Sequence, residues 1–142
     1  ELGKHVRAAS AGTKRISNPC CYPTGFLVMA APLREAGLLP DDAKLIVPGI
    51  SGYTGGGKGL IEAFDAGTAP RHFSYAHGLS HKHLPEMQKL ARLSSCPIFM
   101  PSVGDFAQGM LVHLPLFAGQ LSKAVTAADL AEIYQSHYQG LR

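Results

Sequence analysis

The sequence predicts an α+β domain, with a mixed or mostly antiparallel sheet packed against helices. Two observations carry this. Short β-rich runs and helix-patterned runs are interspersed without the strict strand–helix–strand rhythm of a doubly wound fold. Sixteen Gly and ten Pro divide the 142 residues into short elements joined by tight turns. A hydrophobic content of 46% against 16% charged residues supplies enough apolar surface for one real core. The net charge of +3 is scattered, with no basic run and no aromatic array among Lys and Arg, so no nucleic-acid partner is expected. The longest apolar stretch, Gly25 to Leu33, is too short to span a bilayer, and no secretory signal is visible. Three Cys, two of them adjacent, do not form a disulfide framework; they point to a reducing, cytoplasmic setting.

Residues 3–16 read as an extended, exposed entry. Residues 24–37 read as a buried helix, apolar all round from Phe26 to Ala31, with Pro32 expected to kink it and Gly37 to stop it. Lys44 to Ile50 is a β-rich strand, followed by a glycine loop over 49–59 and a short helix over 60–66. Arg71 to His77 alternates weakly as a strand, and residues 85–93 form a helix with Pro85 in its first turn. Residues 97–103 and 110–116 are strands. Thr126 to Tyr138 is the clearest helix: Thr126 caps it, Asp129 completes a capping box, Gly140 follows its end, and Leu130, Ile133 and Tyr134 form its inner face.

Three clusters carry chemistry. In Ser17-Asn18-Pro19-Cys20-Cys21-Tyr22-Pro23-Thr24 a thiol precedes a helix start. The thiolate is the nucleophilic form of cysteine, and a helix N-terminus or a nearby imidazole favours it. Cys21 has access to both, and the helix N–H groups could hold an oxyanion; the competing reading is a small core residue. In His81-Lys82-His83-Leu84-Pro85-Glu86 an extended backbone puts both imidazoles on one side, and Glu86 could orient one of them as a general acid or base. His-x-His with a Cys is also a zinc-ligand pattern, although adjacent Cys20 and Cys21 suit a tetrahedral ion poorly. Gly52 through Lys58 fits the spacing of a phosphate-binding loop, but Gly59 has no hydroxyl for Mg²⁺. The segment reads as an anion- or substrate-binding glycine loop with Lys58 as a donor, or as a flexible surface turn.

Together these motifs resemble the N-acetyl-γ-glutamyl-phosphate reductase family, in its shorter subgroup. Asn18-Pro19-Cys20-Cys21-Tyr22-Pro23-Thr24 is similar to the family's nucleophile motif Asn-Pro-Gly-Cys-Tyr-Pro-Thr. Ser51-Gly52-Tyr53-Thr54-Gly55-Gly56-Gly57-Lys58 resembles its glycine loop, and His81-Lys82-His83-Leu84-Pro85-Glu86 its His-x-His-x-Pro-Glu motif. Pro97 to Gly104 and Gln108-Gly109-Met110 resemble the strand pair that follows. The resemblance covers nearly the whole chain, in family order. It implies the catalytic domain fold of glyceraldehyde-3-phosphate and semialdehyde dehydrogenases, spanning residues 1–142 as a catalytic and dimerisation domain. It also implies NADPH-dependent reduction of an acyl phosphate to a semialdehyde in arginine biosynthesis, through a thioester on Cys21. His81, His83 and Glu86 would be the acid/base and orienting groups, and Asn18, Ser51, Gly52 and Lys58 would line the substrate pocket. No metal is implied, and a homo-oligomer, dimer or tetramer, is.

Two departures from the family pattern stand out. Cys20 occupies a Gly position, where it could strain the turn or form a vicinal disulfide with Cys21; Cys20→Gly is expected to raise activity. No Gly-x-Gly-x-x-Gly follows a strand, so the NADP-binding Rossmann domain and a final C-terminal segment are expected to lie outside this chain, leaving it inactive alone. The alternatives are a related Cys-dependent semialdehyde dehydrogenase, against which the Cys-Tyr-Pro-Thr run argues, and a zinc module using His81, His83 and a Cys.

Overall fold

The computed structural model describes residues 12–16 and 20–140. Asn18 and most of the expected entry segment lie outside the described residues; 12–16 are exposed. Helix α1 (Cys21–Glu35) starts three residues earlier than its apolar run suggests. The Thr24 N–H and hydroxyl both donate to the Cys20 carbonyl, at 3.0 and 2.9 Å, closing a first turn around Pro23, which has no N–H to lose there.

Pro32 does not interrupt α1. Proline removes the N–H that Val28 would receive, and the Tyr138 hydroxyl donates to the Val28 carbonyl instead, at 2.6 Å. The Tyr134 hydroxyl donates to the Met29 carbonyl at 2.7 Å. Both tyrosines lie on the last helix, α4 (Ala127–Tyr138), whose Thr126–Asp129 capping box forms as expected. The helix is amphipathic rather than apolar all round: Phe26, Leu27, Ala30 and Leu33 are buried, while Val28 faces solvent.

Strand β1 (Ile46–Gly52) leads through a single 3₁₀ turn, Tyr53–Gly56, into helix α2 (Lys58–Asp65). The glycine loop is thus shorter than expected, because Ser51 and Gly52 are strand residues and Lys58 is helical. Strand β2 (His72–Ser74), helix α3 (His83–Leu90), strand β3 (Ile98–Gly104) and strand β4 (Met110–Val112) follow. The expected strands over 71–77 and 110–116 shrink to three residues each. Helix α3 opens at His83 rather than Pro85.

The sheet has the order β2-β3-β1-β4. Its central pair is parallel, Ile46 opposite Ile98 through Gly52 opposite Gly104, and both outer pairs are antiparallel. The expected mixed sheet therefore has a parallel centre, because β1 reaches β3 through α2, β2 and α3. Val47 and Phe99 meet Phe26, Leu27, Leu33, Leu84 and Met87 in the core. The alternate residues Ile46, Ile98 and Met100 face out, with Leu111 beside Ile50 in register. Among the described residues no helix is long and apolar enough to cross a membrane.

Candidate active site

A cleft of about 820 Å³ lies at the carboxyl ends of the parallel pair, beside the start of α1. Cys20, Cys21 and Tyr22 enter it from α1, Ser51 and Gly52 from β1, and His81, Lys82 and His83 from the turn before α3. The three sequence clusters therefore converge, although 60 residues of chain separate Cys21 from His81. The remaining wall includes Leu60, Phe73, Val103 and Met110. Its size suits a small ligand.

Cys21 is the first residue of α1 and is exposed. No side chain within α1 caps it and its first turn holds no acidic residue, so the dipole at Cys21 is unmatched from within the helix. The core-residue reading of Cys21 is thereby overturned. Cys20 has φ −67° and ψ 159°, ordinary extended backbone, so cysteine in place of glycine introduces no strain there. Cys20 and Cys21 are free thiols, not a vicinal disulfide.

The two imidazoles meet in a way the sequence reading did not anticipate. Lys82 is helical (φ −54°, ψ −23°), so His81 and His83 are joined by a turn, not by an extended step. Their ring centroids are 4.4 Å apart, edge to face. The His83 N–H donates to His81 Nδ1 at 3.2 Å. That bond assigns the lone pair to Nδ1 and the proton of neutral His81 to Nε2. Burial lowers the pKa of His81, with Lys82 adding to the effect. His83 is only 5% exposed, and burial, His81 and Lys82 depress its pKa against an opposing pull from Glu86. Its Nδ1 is buried without a hydrogen-bond partner. Both rings are thus held in the neutral form.

Glu86 differs from expectation. Its Oε1 accepts the backbone N–H of Cys20 at 3.2 Å, tying α3 to the start of α1, in place of orienting an imidazole. Lys58 is not in the cleft wall; its ammonium is exposed and lies 3.7 Å from Glu62 one turn along α2. Among the described residues no group of three or more His, Cys, Asp or Glu is arranged to hold a metal ion.

Sequence reasoning missed two tyrosines. The Tyr22 ring lies edge-on to Phe99, with centroids 5.1 Å apart, and its hydroxyl donates to the Ser102 carbonyl at 3.2 Å. Tyr75 lines the cleft beside Tyr22. Burial, with Tyr22 and Cys21 nearby, pushes Tyr75 up to about 12, so it remains a donor at any physiological pH. Tyr22 stood inside the cysteine motif and could have been singled out; Tyr75, in a weakly patterned segment, gave no signal. Gly52 also matters more than its motif position suggested. Its N–H donates to the Gly109 carbonyl at 2.9 Å, and a Cβ there would lie 2.6 Å from the Ala107 carbonyl oxygen. The 104–109 loop can cross the end of β1 only over glycine.

The sequence matches a known class. The family model for the semialdehyde dehydrogenase dimerisation domain matches residues 21–142, and the chain belongs to that family. Among curated proteins, it is 44% identical over 145 residues to the N-acetyl-γ-glutamyl-phosphate reductases of Brucella canis and Brucella abortus. The same enzyme from Brucella anthropi matches at the same identity. Each match covers 99% of this chain and 47% of the relative, so the chain spans about half the length of the curated relatives it matches.

Proposed function

We propose that this chain is the catalytic domain of an NADPH-dependent N-acetyl-γ-glutamyl-phosphate reductase of arginine biosynthesis, acting through a thioester on Cys21. The carrying observation is an exposed cysteine at the uncapped start of a 15-residue helix, sharing one cleft with two neutral imidazoles. The relatives' names supply the substrate class.

Cys21 thiolate attacks the acyl carbon, the carbon–oxygen bond to phosphate breaks, and phosphate leaves with the bonding pair. The N–H groups of Cys21 and Tyr22 are the donors for the tetrahedral oxyanion, since Pro23 has none. His81 presents Nε2–H to the same oxyanion or to the departing phosphate. Ser51 and Gly52 line the acyl side, and Asn18 and Lys58 are carried as substrate contacts on motif position. For phosphate binding, Lys58 has to leave Glu62 and swing toward the cleft. NADPH, when bound, supplies the hydride that converts the thioester to the semialdehyde. The apolar wall of Leu60, Phe73 and Met110 suits a flat ring beside Cys21, whereas nothing in the described residues forms a dinucleotide phosphate loop.

The outward apolar residues Ile46, Ile98, Met100 and Leu111 support a homo-oligomer formed on the open sheet face. In the intact enzyme, Cys21→Ser should reduce acyl-phosphate-dependent NADPH oxidation to background. His81→Asn should cost about 10²- to 10⁴-fold in kcat. Undiminished turnover in Cys21→Ser would overturn the proposal.

A further inference from the structure

Two adjacent thiols open onto this cleft, and chemistry on one requires the other to stay silent. Where the resembled family has glycine, this chain carries the second thiol, so the question is particular to this sequence. Cys20 and Cys21 sit in different surroundings. Cys21 lies at the uncapped positive end of α1 and is exposed. Cys20 is half-buried, and its backbone N–H is held at 3.2 Å by the Glu86 carboxylate, from a helix 66 residues away in sequence.

We propose that Glu86 is a positioning residue that anchors the start of α1 to α3 and keeps Cys20 a thiol, so that Cys21 alone acts as nucleophile. The inference rests on the reading of Cys21 as the nucleophile. The carboxylate that accepts the Cys20 N–H thus sits beside the sulfur of the same residue. A negative charge there opposes a second one on the sulfur. The groups facing Cys20 are Glu86 from α3, Lys82 from the preceding turn, and Cys21 itself. Desolvation is the largest influence raising Cys20, followed by Glu86; Lys82 opposes them, and a Cys21 thiolate adds to them. Ionisation of Cys21 thus reinforces the silence of Cys20.

The test reads each thiol separately in the intact enzyme, on the peptide that carries it. Cys96→Ser removes the exposed third thiol, and either Cys21→Ser or Cys20→Ser leaves one reporter on that peptide. Carbamidomethylation by iodoacetamide, which forms the S–C bond and releases iodide, is followed by mass spectrometry across pH. The Cys20 reporter should react several-fold more slowly than the Cys21 reporter at neutral pH. Glu86→Gln keeps an oxygen for the Cys20 N–H and removes the charge. It should accelerate Cys20 several-fold and move its pH profile to lower pH, with the thermal midpoint nearly unchanged. Glu86→Asp should restore slow labelling. An identical Cys20 profile in Glu86→Gln, or equal rates for the two reporters with Glu86 present, overturns the proposal. Failure of the Cys21 reporter to react counts separately against the reductase reading, because the Cys20 profile is measured without Cys21.

Discussion

Gly49 is the residue on which the cysteine turn leans. It sits mid-strand in β1 and gave no motif, yet a Cβ there would lie 2.5 Å from Cε1 of Tyr22 and 3.1 Å from the Leu111 carbonyl oxygen. The Tyr22 ring fills that space, and its hydroxyl reaches across to Ser102, so the residue after Cys21 is pinned at both ends. Gly49→Ala is expected to push the ring away and destabilise the fold by about 1–3 kcal/mol, the usual range for overpacking. A urea midpoint measures this, and Cys21 alkylation should change with it; an unchanged midpoint means the ring has another place to go. The site is legible in the sequence only in part at this scale. Cys21 and the two histidines are visible because their chemistry is tied to residue type. Glu86 was visible too, but its task was not, because which N–H a carboxylate accepts depends on the packing of α3 against α1.

Helix α1 survives its proline through partners 105 and 110 residues away. The sequence rule that proline kinks a helix counts the lost N–H and the clash with the preceding turn. It does not count a tyrosine hydroxyl supplied by another helix. Tyr134 and Tyr138, one turn apart on α4, donate to the adjacent Met29 and Val28 carbonyls. Tyr134 was expected on the inner face of α4 as an apolar contact; its hydroxyl has this second use. Tyr134→Phe should cost about 1 kcal/mol through loss of the hydroxyl bond to the Met29 carbonyl. The double change with Tyr138→Phe should speed hydrogen exchange in the second half of α1 more than in α3. Equal protection in both helices would show that α1 holds its proline without help.

The whole molecule carries the cost of two imidazoles kept neutral. The folded pKa values of His81 and His83 lie below that of a free imidazole, burial being the first cause in each. Below about pH 6.5 the unfolded chain therefore binds protons that the folded chain resists. Stability is full above that pH and is lost as pH falls through and below it. The thermal midpoint should drop between pH 7 and pH 5, and less steeply in His83→Asn. The Asp129 carboxyl, held low by its hydrogen bonds to Thr126, is lost only in more acid solution and stays outside this window. A midpoint that is flat from pH 7 to pH 5 would contradict the burial of neutral rings.

The sequence by itself picked out the cysteine at a helix start, the histidine pair, the α+β class and the capped last helix. Each rests on local chemistry: a thiol before a helix start, a His-x-His step, a periodic apolar pattern, a Thr–Asp box. Tertiary structure decided the rest. The parallel centre of the sheet follows from which strands pair, and pairing is a long-range choice that local pattern does not encode. The tyrosines beneath the cleft, the repair of Pro32 and the bond from Cys20 to Glu86 all join segments distant in sequence. Hydrogen bonds of that kind exist only once the core of α1, α3 and the sheet has brought their partners within 3 Å or so.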